Sequence, residues 1–145
     1  MKILKKLLLL GVFTATFLYA SPSELFQSLG YSATYKETLN KALKNKKPMM
    51  LVISEKTCPW CRKLENQTLK RKNINQFVQD NFIAVGLEKN DDVYPKKFTP
   101  QVVPTVVFVN PNDESIIYQS YGYKPKKEFI EILTEVNKMF KSGAK

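Results

Sequence analysis

The chain has 145 residues, of which 23 are Lys or Arg, 13 are Asp or Glu, two are Cys and none is His. That length suits one domain, and a 43% hydrophobic content supports a packed core rather than a disordered chain. The missing histidine excludes Ser-His-Asp and Cys-His nucleophilic sites, histidine general bases, and every zinc, copper or haem site that needs an imidazole.

In chain order, Lys2, Lys5 and Lys6 come first, then an uncharged run of 14 residues from Leu7 to Ala20, then Ser21-Pro22. A basic start, a short apolar stretch and a small residue before a proline predict a secretory signal over 1–20, cleaved after Ala20, and hence an exported protein. The run falls short of the ~20 residues that span a bilayer. Without it, 20 basic residues face 13 acidic ones, a balance of +7. Arg62 and Arg71 are the sole arginines, which argues against nucleic acid as a partner. The clusters Lys44 to Lys47 and Lys70 to Lys72 read as solvated helix ends and turns.

Residues 21–34 read as an N-terminal extension with a short helix. Ser21-Pro22-Ser23-Glu24 has a capping-box pattern, and Gly30 ends the helix. From 35 to 141 the chain reads as one compact domain. Thr34 to Glu37 forms a second capping box, opening a helix with Tyr35, Leu39, Ala42 and Leu43 on one face and stopped before Pro48. Met49 to Ser54 has strand length; Cys58 to Leu69 and Asn73 to Gln79 read as helices. Phe82 to Leu87 is apolar throughout, as for a strand covered on both faces. Thr105 to Val109 is β-branched, and the turn at Asn110 to Asp113 leads to a hairpin partner over Ser115 to Ser120. The last helix, from Lys126 to Phe140, carries Phe129, Ile132, Leu133, Val136 and Met139 at core spacing.

Both cysteines lie in Cys58-Pro59-Trp60-Cys61, directly after a strand and at the start of a helix. A helix N-terminus offers unpaired N–H groups and a positive dipole end, both of which favour a thiolate at Cys58. Pro59 suits the first helical position. Cys61 falls one turn later, within disulfide reach but less exposed, so Cys58 attacks and Cys61 resolves. Haem attachment would need His where Arg62 stands, and structural zinc would need four ligands. A Cu(I) carrier and an inert disulfide stay open as alternatives. A loop this short stabilises weakly, which favours a redox-active pair.

These residues resemble the thioredoxin superfamily. Cys58-Pro59-Trp60-Cys61 after the Met49–Ser54 strand, Lys97-Phe98, Val103-Pro104-Thr105 heading a later strand, and Gly122 carry the likeness, which runs from about Tyr35 to Phe140. Cys61 to Glu65 is similar to small periplasmic thioredoxin-like proteins and to the C-terminal reductase domain of the membrane-embedded bacterial reductant transporter. The resemblance implies an α/β thioredoxin fold, with a mixed sheet of about four strands flanked by helices. It also implies a cis Pro104 facing the cysteine pair and a Val103 backbone that pairs with substrate, with Thr105 beside it. No cofactor beyond the Cys58–Cys61 disulfide and no metal is expected. The implied partners are client proteins with disulfides and a membrane-bound electron donor, and the expected form is a monomer.

One departure from that pattern concerns the proton acceptor. Thioredoxin has a buried Asp on the strand six residues before its first cysteine, where this chain has Val52. Glu55, Glu65, Lys56 or water are the candidate replacements. Glu65 follows Cys61 by four residues and shares its helical face; the competing reading makes it a solvated surface carboxylate. Trp60 is read either as a contact for partner proteins or as local packing. The resulting expectation is an exported protein-disulfide reductase. The alternatives are a thiol oxidase or isomerase using the same site, and a thioredoxin-fold binding module or copper carrier.

Overall fold

The computed structural model describes residues 22–143; the expected signal over 1–20 lies outside the described residues. Helix α1 (Pro22–Ser28) precedes α2 (Tyr35–Asn45) and strand β1 (Met49–Ser54). Helix α3 (Pro59–Leu64), a π-helical turn (Glu65–Leu69) and α4 (Lys72–Asn81) lead to β2 (Ile83–Glu88). A 3-10 turn (Lys96–Phe98), β3 (Thr105–Val109), β4 (Ile116–Tyr121) and α5 (Lys126–Ser142) complete the chain. The expected helix from Cys58 to Leu69 is therefore divided. The hydrogen bond from Lys70 N–H to Glu65 O, at 3.0 Å, spans five residues rather than four. The helix expected over Asn73 to Gln79 gains a residue at the front and two at the back. Among the described residues no helix is long and apolar enough to cross a membrane.

The four strands form one mixed sheet in the order β2-β1-β3-β4, with β1 parallel to β2 and antiparallel to β3. A central strand needs apolar residues on both faces, and Met49 to Ser54 is buried throughout. Met50 and Val52 pack with Val106 and Phe108 under α1, α3, α4 and α5. Met49, Leu51 and Ile53 pack with Val107 and Val109 under α2 and Phe98. Thr34 caps α2 by accepting from Glu37 N–H at 3.1 Å, and the Glu37 carboxylate accepts from Ala33 N–H at 2.9 Å.

Several expected core positions differ. Leu43 on α2 is exposed and Thr38 takes the buried place, because Thr38 hydroxyl donates back to Thr34 O at 2.7 Å and needs no water. On α5, Phe129, Leu133 and Val136 are buried, but Ile132 and Met139 stand at the edge of the stripe and stay half-exposed. Strand β2 is an edge strand, so Ile83, Gly86 and Glu88 are only partly covered. The extension guards part of that edge: Ser32 N–H donates to Ala84 O at 2.8 Å, and Phe26 lies over Gly86. A Cβ at Gly86 would overlap the buried Phe26 ring. Gly86→Ala is expected to cost about 1–3 kcal/mol in denaturant unfolding by overpacking. Combining it with Phe26→Ala should cost less than the sum of the two single changes, since both act on one contact.

Candidate active site

The apolar run of β1 ends at Ser54, and a short turn, closed by Cys58 N–H donating to Glu55 O at 3.1 Å, delivers Cys58 to the start of α3. Cys58 is the N-cap residue with extended backbone, Pro59 follows as the first helical residue, and Cys58 Sγ accepts from Cys61 N–H at 3.1 Å. The sulfur thus does what a Ser or Asp side chain does at other helix starts, and the hydrogen bond and dipole that cap the helix also favour negative charge on that sulfur. Cys58 and Cys61 form a disulfide with Cα atoms 5.3 Å apart. Cys58 is half-buried, whereas Cys61 is 1% exposed.

The loop before β3 lies at the same end of the sheet, since Thr105 pairs with Ile53 near the end of β1. The Val103–Pro104 peptide bond is cis and Pro104 is buried. Thr105 is fully buried and its hydroxyl donates to Val102 O at 2.7 Å, so it shapes this loop from inside. Gly122, with φ of 72°, takes the backbone through a left-handed turn after β4, and its N–H donates to Pro104 O at 2.8 Å. The next two residues reach back to the active-site helix. Tyr123 hydroxyl donates to Gln67 Oε1 at 3.2 Å, and Lys124 O accepts from Thr68 Oγ1 at 2.6 Å. Residues 122–124 therefore tie the cis-proline loop to the π turn that continues the cysteine helix.

Trp60 is 56% exposed and its ring lies 6.1 Å from that of Tyr123. Lys63 Nζ stands 4.8 Å from the Trp60 ring centre and 4.6 Å from that of Tyr123, within cation–π range of both. Val102, before the cis-proline bond, and Tyr121, at the end of β4 opposite Thr105, add further exposed apolar surface. Glu55 is half-buried and 3.6 Å from Lys89, whose ammonium also donates to Gln101 O at 3.0 Å. Lys56 is exposed, and its carbonyl accepts from Arg62 Nη1 at 3.0 Å.

Glu65 is 6% exposed and begins the π turn, its N–H donating to Cys61 O. It is not a solvated surface carboxylate. Burial raises its carboxyl above the ordinary range; Arg62 and Lys70 pull it down in part, and Glu88 pushes it further up. The sequence singles out the cysteine pair, Trp60 and Glu65, which the fold sets on α3 and the π turn after it. It does not single out Lys63, Gln67, Thr68 or Tyr123, although Tyr123 directly follows Gly122. Among the described residues no cluster of three or more His, Cys, Asp or Glu side chains can hold a metal ion.

A four-stranded mixed sheet, a Cys-x-x-Cys pair that caps a helix and forms a disulfide, and a cis-proline loop tied to the turn after that helix define a thioredoxin-like domain. The thioredoxin-like domain family matches residues 35–137, and the chain belongs to it. It is 32% identical over 81 residues to mouse anterior gradient protein 3, across 54% of this chain and 48% of that protein, so it spans about half of that relative. Among solved structures, a thioredoxin from Thermus thermophilus aligns with a TM-score of 0.67 at 18% identity, over 77% of this chain and 90% of that one. The C-terminal domain of Neisseria meningitidis DsbD in its reduced form aligns with a TM-score of 0.56 at 24% identity, over 69% of this chain and 91% of that one. These likenesses are of fold.

Proposed function

We propose that the chain is an exported protein-disulfide reductase that works in the periplasm as a monomer. The observation that carries this reading is Cys58 Sγ at the helix cap, accepting from Cys61 N–H beside the cis-proline loop. In the reduced protein, Cys58 thiolate attacks one sulfur of a client disulfide, forming a mixed disulfide and releasing the client's other sulfur as a thiolate. Cys61 then loses its proton and attacks Cys58 Sγ. The client's second thiolate leaves and is protonated, and two electrons have passed to the client. A membrane-bound dithiol donor must return those electrons. The Val103 backbone is the expected docking strand for the client's extended segment, with Thr105 fixing its loop.

Compactness supports the reductive direction. Only the 3-10 turn Lys96–Phe98 interrupts the connection between Glu88 and Thr105, so the fold has no helical insertion of the kind the periplasmic oxidase carries there. Redox titration of the full chain against glutathione tests the direction. A potential near that of thioredoxin, about −270 mV, is expected, and one more oxidising than about −150 mV would overturn the assignment in favour of an oxidase or isomerase.

This reading gives the Cys61 proton to Glu65, because both residues are buried and Glu65, at the start of the π turn, follows Cys61 by one turn. Glu65→Gln should slow client release from the mixed disulfide; equal resolution rates from about pH 6 to about pH 9 would remove that role. A stability readout accompanies it. Because burial raises the folded-state value, the protonated form is the one the fold favours, and wild-type stability should fall as pH rises from the ordinary carboxylate range through the raised value. The stability of Glu65→Gln relative to wild type should therefore rise from about pH 4 to about pH 8 in urea unfolding. A flat difference would mean that the carboxylate is solvated in solution.

A further inference from the structure

The lysines around the disulfide are not equivalent. Lys89 faces Glu55 at 3.6 Å, and Lys124 pairs with Glu128 at 3.1 Å. Lys63, in contrast, lies over two ring faces, Trp60 and Tyr123. A ring face attracts the charge of an ammonium but leaves most of its three N–H donors without an oxygen acceptor. The platform is also well anchored. Trp60 lies between the two cysteines in sequence, and Tyr123 follows Gly122, whose N–H holds Pro104 O. A segment docked along the Val103 edge would thus run past a cation set between two aromatic surfaces.

Charge on this face points to the kind of segment. Lys56, Arg62 and Lys63 stand around the cysteine helix start, while Glu55 and Glu128 face lysines and Glu65 is buried. We propose that Lys63 selects clients by receiving an Asp or Glu carboxylate that flanks the client's reacting cysteine, while the Trp60 and Tyr123 rings take the neighbouring apolar side chain. The selection rests on the reductase reading and leaves its chemistry unchanged. The carboxylate supplies binding at the encounter, and the sulfur exchange proceeds as written above.

The test uses two synthetic peptides, each closed by one disulfide and identical except for Asp or Asn beside the first cysteine. Reduction by the full-length reduced protein is followed by chromatography. Each rate is divided by that of the same peptide with dithiothreitol, which removes the effect of Asp on the disulfide itself. The wild type should prefer the Asp peptide by about fivefold at low salt, the order of one exposed charge pair, with the preference fading as salt is added. Lys63→Gln should bring the ratio to about one and Lys63→Arg should keep it. Because both peptides meet the same thiolate within each variant, any effect of Lys63 on Cys58 reactivity cancels from the ratio. A wild-type ratio near one, or a preference that survives Lys63→Gln, overturns the selection while reduction of both peptides leaves the reductase reading standing. If neither peptide is reduced, the reductase reading itself fails, and the selection with it.

Discussion

Cys58→Ser should lose protein-disulfide reduction by at least about a thousandfold, whereas Cys61→Ser should still attack and then stall as a mixed disulfide. The asymmetry follows from where α3 begins. Cys58 caps it, half-buried at the surface, with Cys61 N–H directed at its sulfur. Cys61 lies one turn inside, almost without solvent contact, and desolvation of this kind opposes a thiolate. Alkylation of the reduced protein should accordingly label Cys58 first. Expressed as the full chain, Cys61→Ser should accumulate covalent adducts with client proteins, separable without reductant and identifiable by mass spectrometry. Faster labelling of Cys61, or a Cys61→Ser protein that captures nothing, would favour a binding module or copper carrier.

Much of this site is written locally in the sequence, and that is why it can be read there. A cysteine before a proline after a strand marks a helix cap, whereas Val103-Pro104-Thr105 is legible as the opposing loop only through the family resemblance, since any proline heading a strand leaves the same local pattern. Local signals also place β1 and β3, because a central strand is apolar on both faces and leaves an unbroken run. What the sequence withholds depends on contacts between distant residues. Glu65 looks like any charged residue four positions after Cys61, and its burial depends on how the π turn packs into the fold, which brings Glu88 from distant β2 near it. The π turn itself has no pattern distinct from that of a continuing α-helix. Lys63 reads as a solvated lysine until Tyr123, sixty residues away, arrives beside Trp60. The edge bridge from Ser32 to the β2 strand is likewise invisible, since a single pairing residue leaves no alternation to detect.

Phe108→Ala should lower stability by about 3–5 kcal/mol, a large share of the ~5–15 kcal/mol of a typical domain. Phe108 is fully buried on central strand β3, opposite Met50 on β1 and Tyr118 on β4. Its ring lies 5.5 Å from that of Phe82 and 6.5 Å from that of Tyr118, so removing it opens a cavity between the sheet and the end of α4. The sheet around it cannot close that space easily. β1 is held on both sides, and the β3–β4 register already shifts between Phe108 and Val109. In thermal unfolding the loss should appear as a drop on the order of 10–20 °C. The active site is at the other end of the same strands, because Met50 lies near the start of β1 and Cys58 follows its end. Well below the lowered transition, the variant should therefore reduce a client disulfide at about the wild-type rate. A matching loss of rate in the folded variant would show that the packing at Phe108 sets the geometry of the cysteine pair as well as the stability of the sheet.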